Sequence, residues 1–176
     1  MSSPSHGARP VGTGGGLPYR QEQPTQRMIC QGRPFSCLAA CVRQMLLDAS
    51  VRQTEEELLL RIGYIEGLGS TVDAAAEALT QLQPAHEFAG GSVDPESLGV
   101  LSSITPWIAV LRTNHGSNHA VLVDKIEDNG VRVRDPWGLD GPGSVCGTEA
   151  LMGLAEFKEH WFWALNKCVF IRKPKR

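Results

Sequence analysis

The sequence predicts an α+β fold, with helices in its first half and an antiparallel sheet in its second. Three observations carry this reading. Between Cys37 and Leu82 apolar residues recur at helical spacing; from Trp107 onward Val, Ile and Leu gather in short blocks of strand character; and Asn129-Gly130 separates two such blocks, the strongest short-range hairpin signal. Helices first and strands second is the order of an α+β chain. With 176 residues and 41% apolar content the chain can bury one real core, so a single domain is expected.

Taken in order, residues 1–26 carry Pro4, Pro10, Pro18, Pro24 and the triplet Gly14 to Gly16, with little to bury, and read as a flexible leader or linker; residues 27–176 are left as the folded domain. Gly32 and Pro34 keep the next approach non-helical, Ser36 is an N-cap candidate, and Leu38, Cys41, Met45 and Leu46 give the apolar stripe of a helix that ends near Asp48. Thr54 with Glu57 makes a capping box ahead of Leu58, Leu59 and Ile62, and Gly63 stops that helix. Ser70 or Thr71 caps a third helix through Val72, Ala75, Ala76, Leu79 and Leu82, broken by Pro84. Asp94-Pro95 opens a fourth, short one. Trp107 to Leu111 and His119 to Ile126 read as strands. Val131 and Val133 alternate with Arg132 and Arg134 in the hairpin's second arm, GLAEFKEHW is a short helix, and Lys167 to Arg172 is a last strand.

Charge and composition exclude several function classes. A net charge of −2 from 17 basic and 19 acidic residues leaves no electrostatic footprint for nucleic acid or an anionic membrane. No segment has the length and hydropathy of a membrane span. An odd count of 5 cysteines with no apolar N-terminal segment fits a reducing compartment. The protein is therefore expected to be cytoplasmic, or to leave its cell by a route without a cleaved signal peptide. No cofactor is called for.

The chemistry starts at Cys37. At the first turn of a helix a thiol faces unpaired backbone N–H groups and the positive end of the macrodipole, which favour the reactive thiolate. Cys41 lies within the apolar stripe and is core. His119 begins the hairpin and Asp135 ends it, so the two can meet despite their separation in sequence, and a carboxylate beside an imidazole fixes its tautomer and supports its charge. Gln31, on the loop that leads to Cys37, can donate its amide to a developing oxyanion beside the Cys37 backbone N–H; such donors are worth about 3–4 kcal/mol each in acyl transfer. His115 and Asn118 are read as loop polarity, and a zinc site from Cys37, Cys41, His115 and His119 lacks a usual structural spacing. Trp137, Trp161 and Trp163 are read as packing residues of the sheet.

Gln31, Cys37, Cys41 and the stretch HAVLVDKIEDNGVRVRDPWG together resemble the C39 peptidase family, papain-like bacterial cysteine peptidases that process double-glycine leader peptides, and its C39-like relatives. The resemblance spans about Ile29 to Ile171. It implies a papain-like fold in which Cys37 matches the nucleophile, His119 the general base, Asp135 the orienting carboxylate and Gln31 the oxyanion-hole residue. Where the family commonly has Gly after the nucleophile this chain has Leu38, which bears on substrate choice. No exporter segments accompany the motif, so the resemblance further implies a stand-alone module of the bacterial toxin or effector type, with a cognate immunity protein as partner. Its substrate would be a protein or peptide carrying Gly-Gly, and Gly14 to Gly16 would be a self-cleavage site. Leader-peptide processing, a deamidase or acyltransferase built on the same site, and a non-catalytic binding module are the other readings.

Overall fold

The computed structural model describes residues 15–174. Among them the elements run β1 (Tyr19–Pro24), α1 (Cys37–Asp48), α2 (Glu55–Arg61), α3 (Val72–Leu82), β2 (His86–Ser92), a 3-10 turn (Pro95–Ser97) leading into α4 (Leu98–Leu101), β3 (Trp107–Arg112), β4 (Asn118–Glu127), β5 (Gly130–Asp135), β6 (Thr148–Met152), α5 (Leu154–Trp163) and β7 (Lys167–Pro174). The strands form one sheet in the order β1-β6-β5-β4-β3-β7-β2, every pairing antiparallel. The α+β expectation holds: α1 to α3 precede the central sheet, and the chain returns to it at the end.

Strand periodicity explains the layering. In β3 and β4, Ile108, Val110, Ala120 and Leu122 face α1, α2 and α3 and bury with Val42, Leu46, Leu58 and Leu79. Their neighbours Trp107, Ala109, Leu111, Val121 and Val123 face the other way, onto Phe157 and Trp161 of α5. Because both faces are covered, WIAVL and HAVLV are continuous apolar runs rather than alternating ones. Each fully buried side chain of this size contributes about 1.5–3 kcal/mol. Trp161 is core, as expected for packing, whereas Trp163 lies 46% exposed on the surface.

Helix caps follow the sequence in part. Thr54 and Glu57 form the reciprocal capping box of α2, and the Thr71 side chain accepts from Ala74 N at the start of α3. Ser36 stands at the N-cap of α1 but does not cap it; its hydroxyl binds the Arg33 carbonyl and a Glu55 carboxylate oxygen, both at 2.9 Å. The hairpin turn is Asp128-Asn129, one residue earlier than expected, because Gly130 takes a positive φ of 143° and already pairs with Glu127.

The expected leader is corrected at its C-terminal end. Tyr19–Pro24 is an edge strand on β6, and Leu17 and Tyr19 pack on the core face beneath α5. YRQEQP is too polar to announce itself, since an edge strand with one solvated side needs few apolar residues. Residues 1–14 lie outside the described part. β2 and β6 are also additions; HEFAGGS and TEALM are short and lack a run of β-branched residues.

A buried guanidinium anchors α1 to the sheet. Arg134, whose side chain is only 3% exposed, reaches Asp48 at the end of α1 (3.0 Å), Asp124 on β4 (2.9 Å) and the Arg27 carbonyl (2.8 Å). A chain beginning at Arg27 is expected to be about 3 kcal/mol less stable to urea than one beginning at Gly15, since it loses the β1 ladder and the packing of Leu17 and Tyr19; equal midpoints would return β1 to the status of a leader.

Candidate active site

The N-terminus of α1 points Cys37 at the start of β4. The Ala120 backbone N–H donates to Cys37 Sγ at 3.5 Å, so the thiol meets β4 one residue after His119. Extending the β4–β5 ladder places Asp135 opposite Val121, one same-face step from His119, and the side chains close that diagonal: His119 Nε2 lies 2.6 Å from Asp135 Oδ1. Both are 1% exposed. The second ring nitrogen, Nδ1, is buried without a hydrogen-bond partner and is the one left to serve Cys37. Three of the four residues singled out in the sequence thus come together.

Gln31 is buried on the approach loop, yet its amide is partly committed: Nε2 donates to the Arg33 carbonyl at 2.8 Å, leaving one amide hydrogen, and Oε1 has no partner. Its backbone fastens this loop to the one after β5, through Gln31 N to the Pro136 carbonyl (2.8 Å) and Gly143 N to the Gln31 carbonyl (2.9 Å). Glu55 clamps the same turn, its Oε1 accepting from Gly32 N and from the Ser36 hydroxyl, each at 2.9 Å. Two residues before the thiol, Phe35 holds φ at 64°, a left-handed conformation that costs a residue other than glycine about 1–2 kcal/mol. This strain sits where the chain must turn sharply to deliver Cys37.

Sequence reasoning missed three further contributors. Trp137, read as packing alone, sets its ring edge-on to His119 at 6.4 Å and donates its backbone N–H to Asp135 Oδ1 at 2.8 Å. Tyr19 donates its hydroxyl to Asp135 Oδ2 at 2.5 Å. Glu55 was visible only as part of a helix start. Of the weaker candidates, Asn118 lines the cleft, while the His115 ring lies against Gly16, whose carbonyl accepts from Asn114 N. Gly15 and Gly16 are not among the residues lining the cleft. No group of three or more His, Cys, Asp or Glu among the described residues could hold a metal ion.

The cleft beside Cys37 has a volume of about 380 Å³ and is walled by Phe35, Leu38, Gly69, Val72, Gly91 and Val110. Gly90 of β2 lies so close to α3 that a Cβ there would come within 2.3 Å of the Val72 carbonyl oxygen. A larger depression of about 790 Å³ over β1, β6 and β5 is lined by Arg27 and by Asp124 and Glu149, both of which pair with Arg27, and its lining includes no cysteine or histidine.

Electrostatics make the Cys37, His119 and Asp135 group an ion-pair system. Burial, with the Asp135 charge adding to it, pushes the Cys37 thiol up, but the close approach and charge of His119 and the Ala120 N–H outweigh this and hold it below the ordinary 9.0. Burial pushes His119 down; the charge and hydrogen bond of Asp135, with Cys37 adding to them, raise it to about 10. Burial likewise pushes Asp135 up, and His119, the Tyr19 hydroxyl and the Trp137 N–H bring it below 3.8. For stability the signs are opposite: the raised His119 contributes fully below its unfolded 6.5 and is lost as pH rises through about 10, while the depressed Asp135 contributes above 3.8 and is lost as pH falls below that value. Cys41, by contrast, is raised well above the usual thiol range by burial and then by Cys37, and is inert.

Several solved structures share this fold. The peptidase domain of Streptococcus ComA, a bifunctional ABC transporter involved in quorum sensing, superposes with a TM-score of 0.64 at 19% identity, over 84% of this chain and 98% of that one. The chain carries the papain-like fold of the C39 peptidases. A double-glycine-motif protease from an AMS/PCAT transporter, solved with its leader peptide, gives 0.60 at 17% identity over 95% of this chain and 100% of that one. A C39-like peptidase from Bacillus anthracis gives 0.60 at 13% identity over 89% and 100%. No family model and no curated protein matches the chain. No helix among the described residues is long and apolar enough to cross a membrane.

Alkylation of Cys37 by iodoacetamide, followed by mass spectrometry of the Cys37 peptide, is expected to show a midpoint below 9.0, and His119→Ala to move it above that value, because burial then acts unopposed. A wild-type midpoint at or above that of the other cysteines would break the ion-pair reading.

Proposed function

We propose that the chain is a cysteine peptidase in which Cys37 is the nucleophile, His119 the general base and acid, Asp135 the carboxylate that orients His119, and Gln31 with the Cys37 backbone N–H the oxyanion donors. The observation that carries this is one contact chain: a thiol at a helix N-terminus served by an imidazole whose far nitrogen is held by a buried carboxylate. The thiolate attacks the scissile carbonyl carbon and His119 protonates the departing amine. Water, deprotonated by His119, then releases the acyl group from sulfur. Trp137 packs edge-on against the imidazole, whose bond to Asp135 is buried. The one amide hydrogen of Gln31 not bound to Arg33 suffices for an oxyanion contact. The peptidase unit extends over residues 27–176 together with β1.

The substrate class follows from the cleft. Leu38 and Phe35 at its walls and the close approach of β2 to α3 favour a backbone without bulky side chains, so a Gly-Gly segment fits. The resemblance in fold to transporter peptidase domains, one solved with a leader peptide, supports leader-peptide processing over delivery into a target cell. The toxin placement and a cognate immunity protein draw no support from the site or from the comparisons. Cleavage within Gly14 to Gly16 is not favoured either, since Gly16 is held by the turn containing Asn114 and His115. Glutamine deamidation or acyl transfer would use the same thiol and differ only in the acceptor.

A library of peptides containing Gly-Gly within varied flanks, read by mass spectrometry, is expected to show one scissile bond directly after Gly-Gly, and Cys37→Ala to lose at least about 10³-fold in rate. Ammonia release without chain cleavage would move the assignment to a deamidase. Absence of any Cys37-dependent product, there or in proteome-wide N-terminal labelling, would leave a binding module.

A further inference from the structure

The donors to Asp135 are unevenly shared. His119 Nε2 and the Trp137 N–H both address Oδ1, and Oδ2 receives the Tyr19 hydroxyl. With its side chain 1% exposed, Asp135 is shielded from bulk solvent, so without Tyr19 one oxygen of a buried anion would lack a protein donor. Tyr19 is itself fixed. Its backbone pairs with Met152 of β6, and its ring packs on the core face that holds Val131 and Val133. Burial first, and the Asp135 charge second, keep its hydroxyl protonated, so it serves as a donor.

We propose that Tyr19 is a positioning residue of the reaction, acting through Asp135 by holding the carboxylate with Oδ1 turned to His119. The inference rests on the reading of Asp135 as the orienting carboxylate. It deepens that reading by making β1, the N-terminal edge strand, part of the reacting unit. The titratable neighbours of Asp135 are His119 from β4, Cys37 and Cys41 from α1, Cys30 from the loop before α1, and Tyr19 from β1, whose hydroxyl also feels the Glu22 carboxylate of the same strand; the Arg134 guanidinium is turned to Asp48 and Asp124. His119 is the positive partner in hydrogen-bond contact, so the Tyr19 donor carries a real share of what keeps Asp135 ionised. Once Asp135 takes a proton, His119 loses its counter-charge and Cys37 its thiolate. Removing the hydroxyl therefore moves the acid limb to higher pH.

Tyr19→Phe removes the hydroxyl and keeps the ring, and its urea midpoint reports whether the fold survives. In the full chain the acid limb of kcat/KM against pH is expected to move up by about one to two units, the equivalent of a charged hydrogen bond to Asp135. With a cleavable peptide, kcat falls about tenfold while KM stays nearly constant. In an Asp135→Asn background the same substitution produces no further change, because its effect passes through that carboxylate. An unchanged acid limb in folded Tyr19→Phe, alongside a shifted one in Asp135→Asn, overturns the inference and leaves the triad standing. If Asp135→Asn also leaves the acid limb unmoved, the triad and the inference fall together.

Discussion

A carboxylate withdrawn from water stays ionised only among donors and a positive partner, and Asp135 meets that condition through groups from separate parts of the chain. β1 brings a phenol, β4 an imidazole, and the turn after β5 a backbone N–H. The imidazole and the N–H come with the β4–β5 hairpin, but the phenol cannot be supplied until the sheet has closed in its native order, because β1 reaches its place only through β6 and β6 only through β5. The charge at the centre of the site is thus conditional on the assembled sheet. Its reward is an imidazole held above its ordinary range and a thiol held below its own.

Placement of the thiol depends on restraint at both ends of α1. At the far end Arg134 links Asp48 to the sheet; at the near end Glu55 grips the turn through Gly32 and Ser36 while Phe35 holds an unfavourable φ. Apolar packing of Val42 and Leu46 onto β3 and β4 sets the height of the helix, and the polar ties set its rotation and register. A helix N-terminus stabilises negative charge over little more than its first turn, so a thiol placed one turn further along α1 would lose most of that help.

Much of the fold was legible because its signals are local. The α2 capping box, the Thr71 cap, the hairpin near Asn129-Gly130 and the strand-like runs at Trp107 and His119 each depend on a few neighbouring residues. The meeting of His119 and Asp135 was legible for a related reason, since a short hairpin makes two ends of one sequence segment adjacent. What stayed hidden depends on distant partners. Nothing in YRQEQP reveals a strand until β6 lies beside it, and nothing in Tyr19 reveals a contact with a residue 116 positions away. Ser36 looked like a cap because its type and position suit one, but a carboxylate from the next helix drew its hydroxyl elsewhere. Trp137 was read as packing and does pack, against the imidazole itself.

β1 occupies an outer edge of the sheet and bonds to a single neighbouring strand. A segment with those two properties is the kind that two copies of a protein can exchange without altering either fold, because each ladder is re-formed identically with the other molecule's strand. In such an exchanged pair each buried carboxylate would receive its phenol from the opposite chain. Catalytic competence and association would then be coupled through one hydrogen bond, and a molecule separated from its partner would keep its cysteine and histidine but lack the group that holds them in tune.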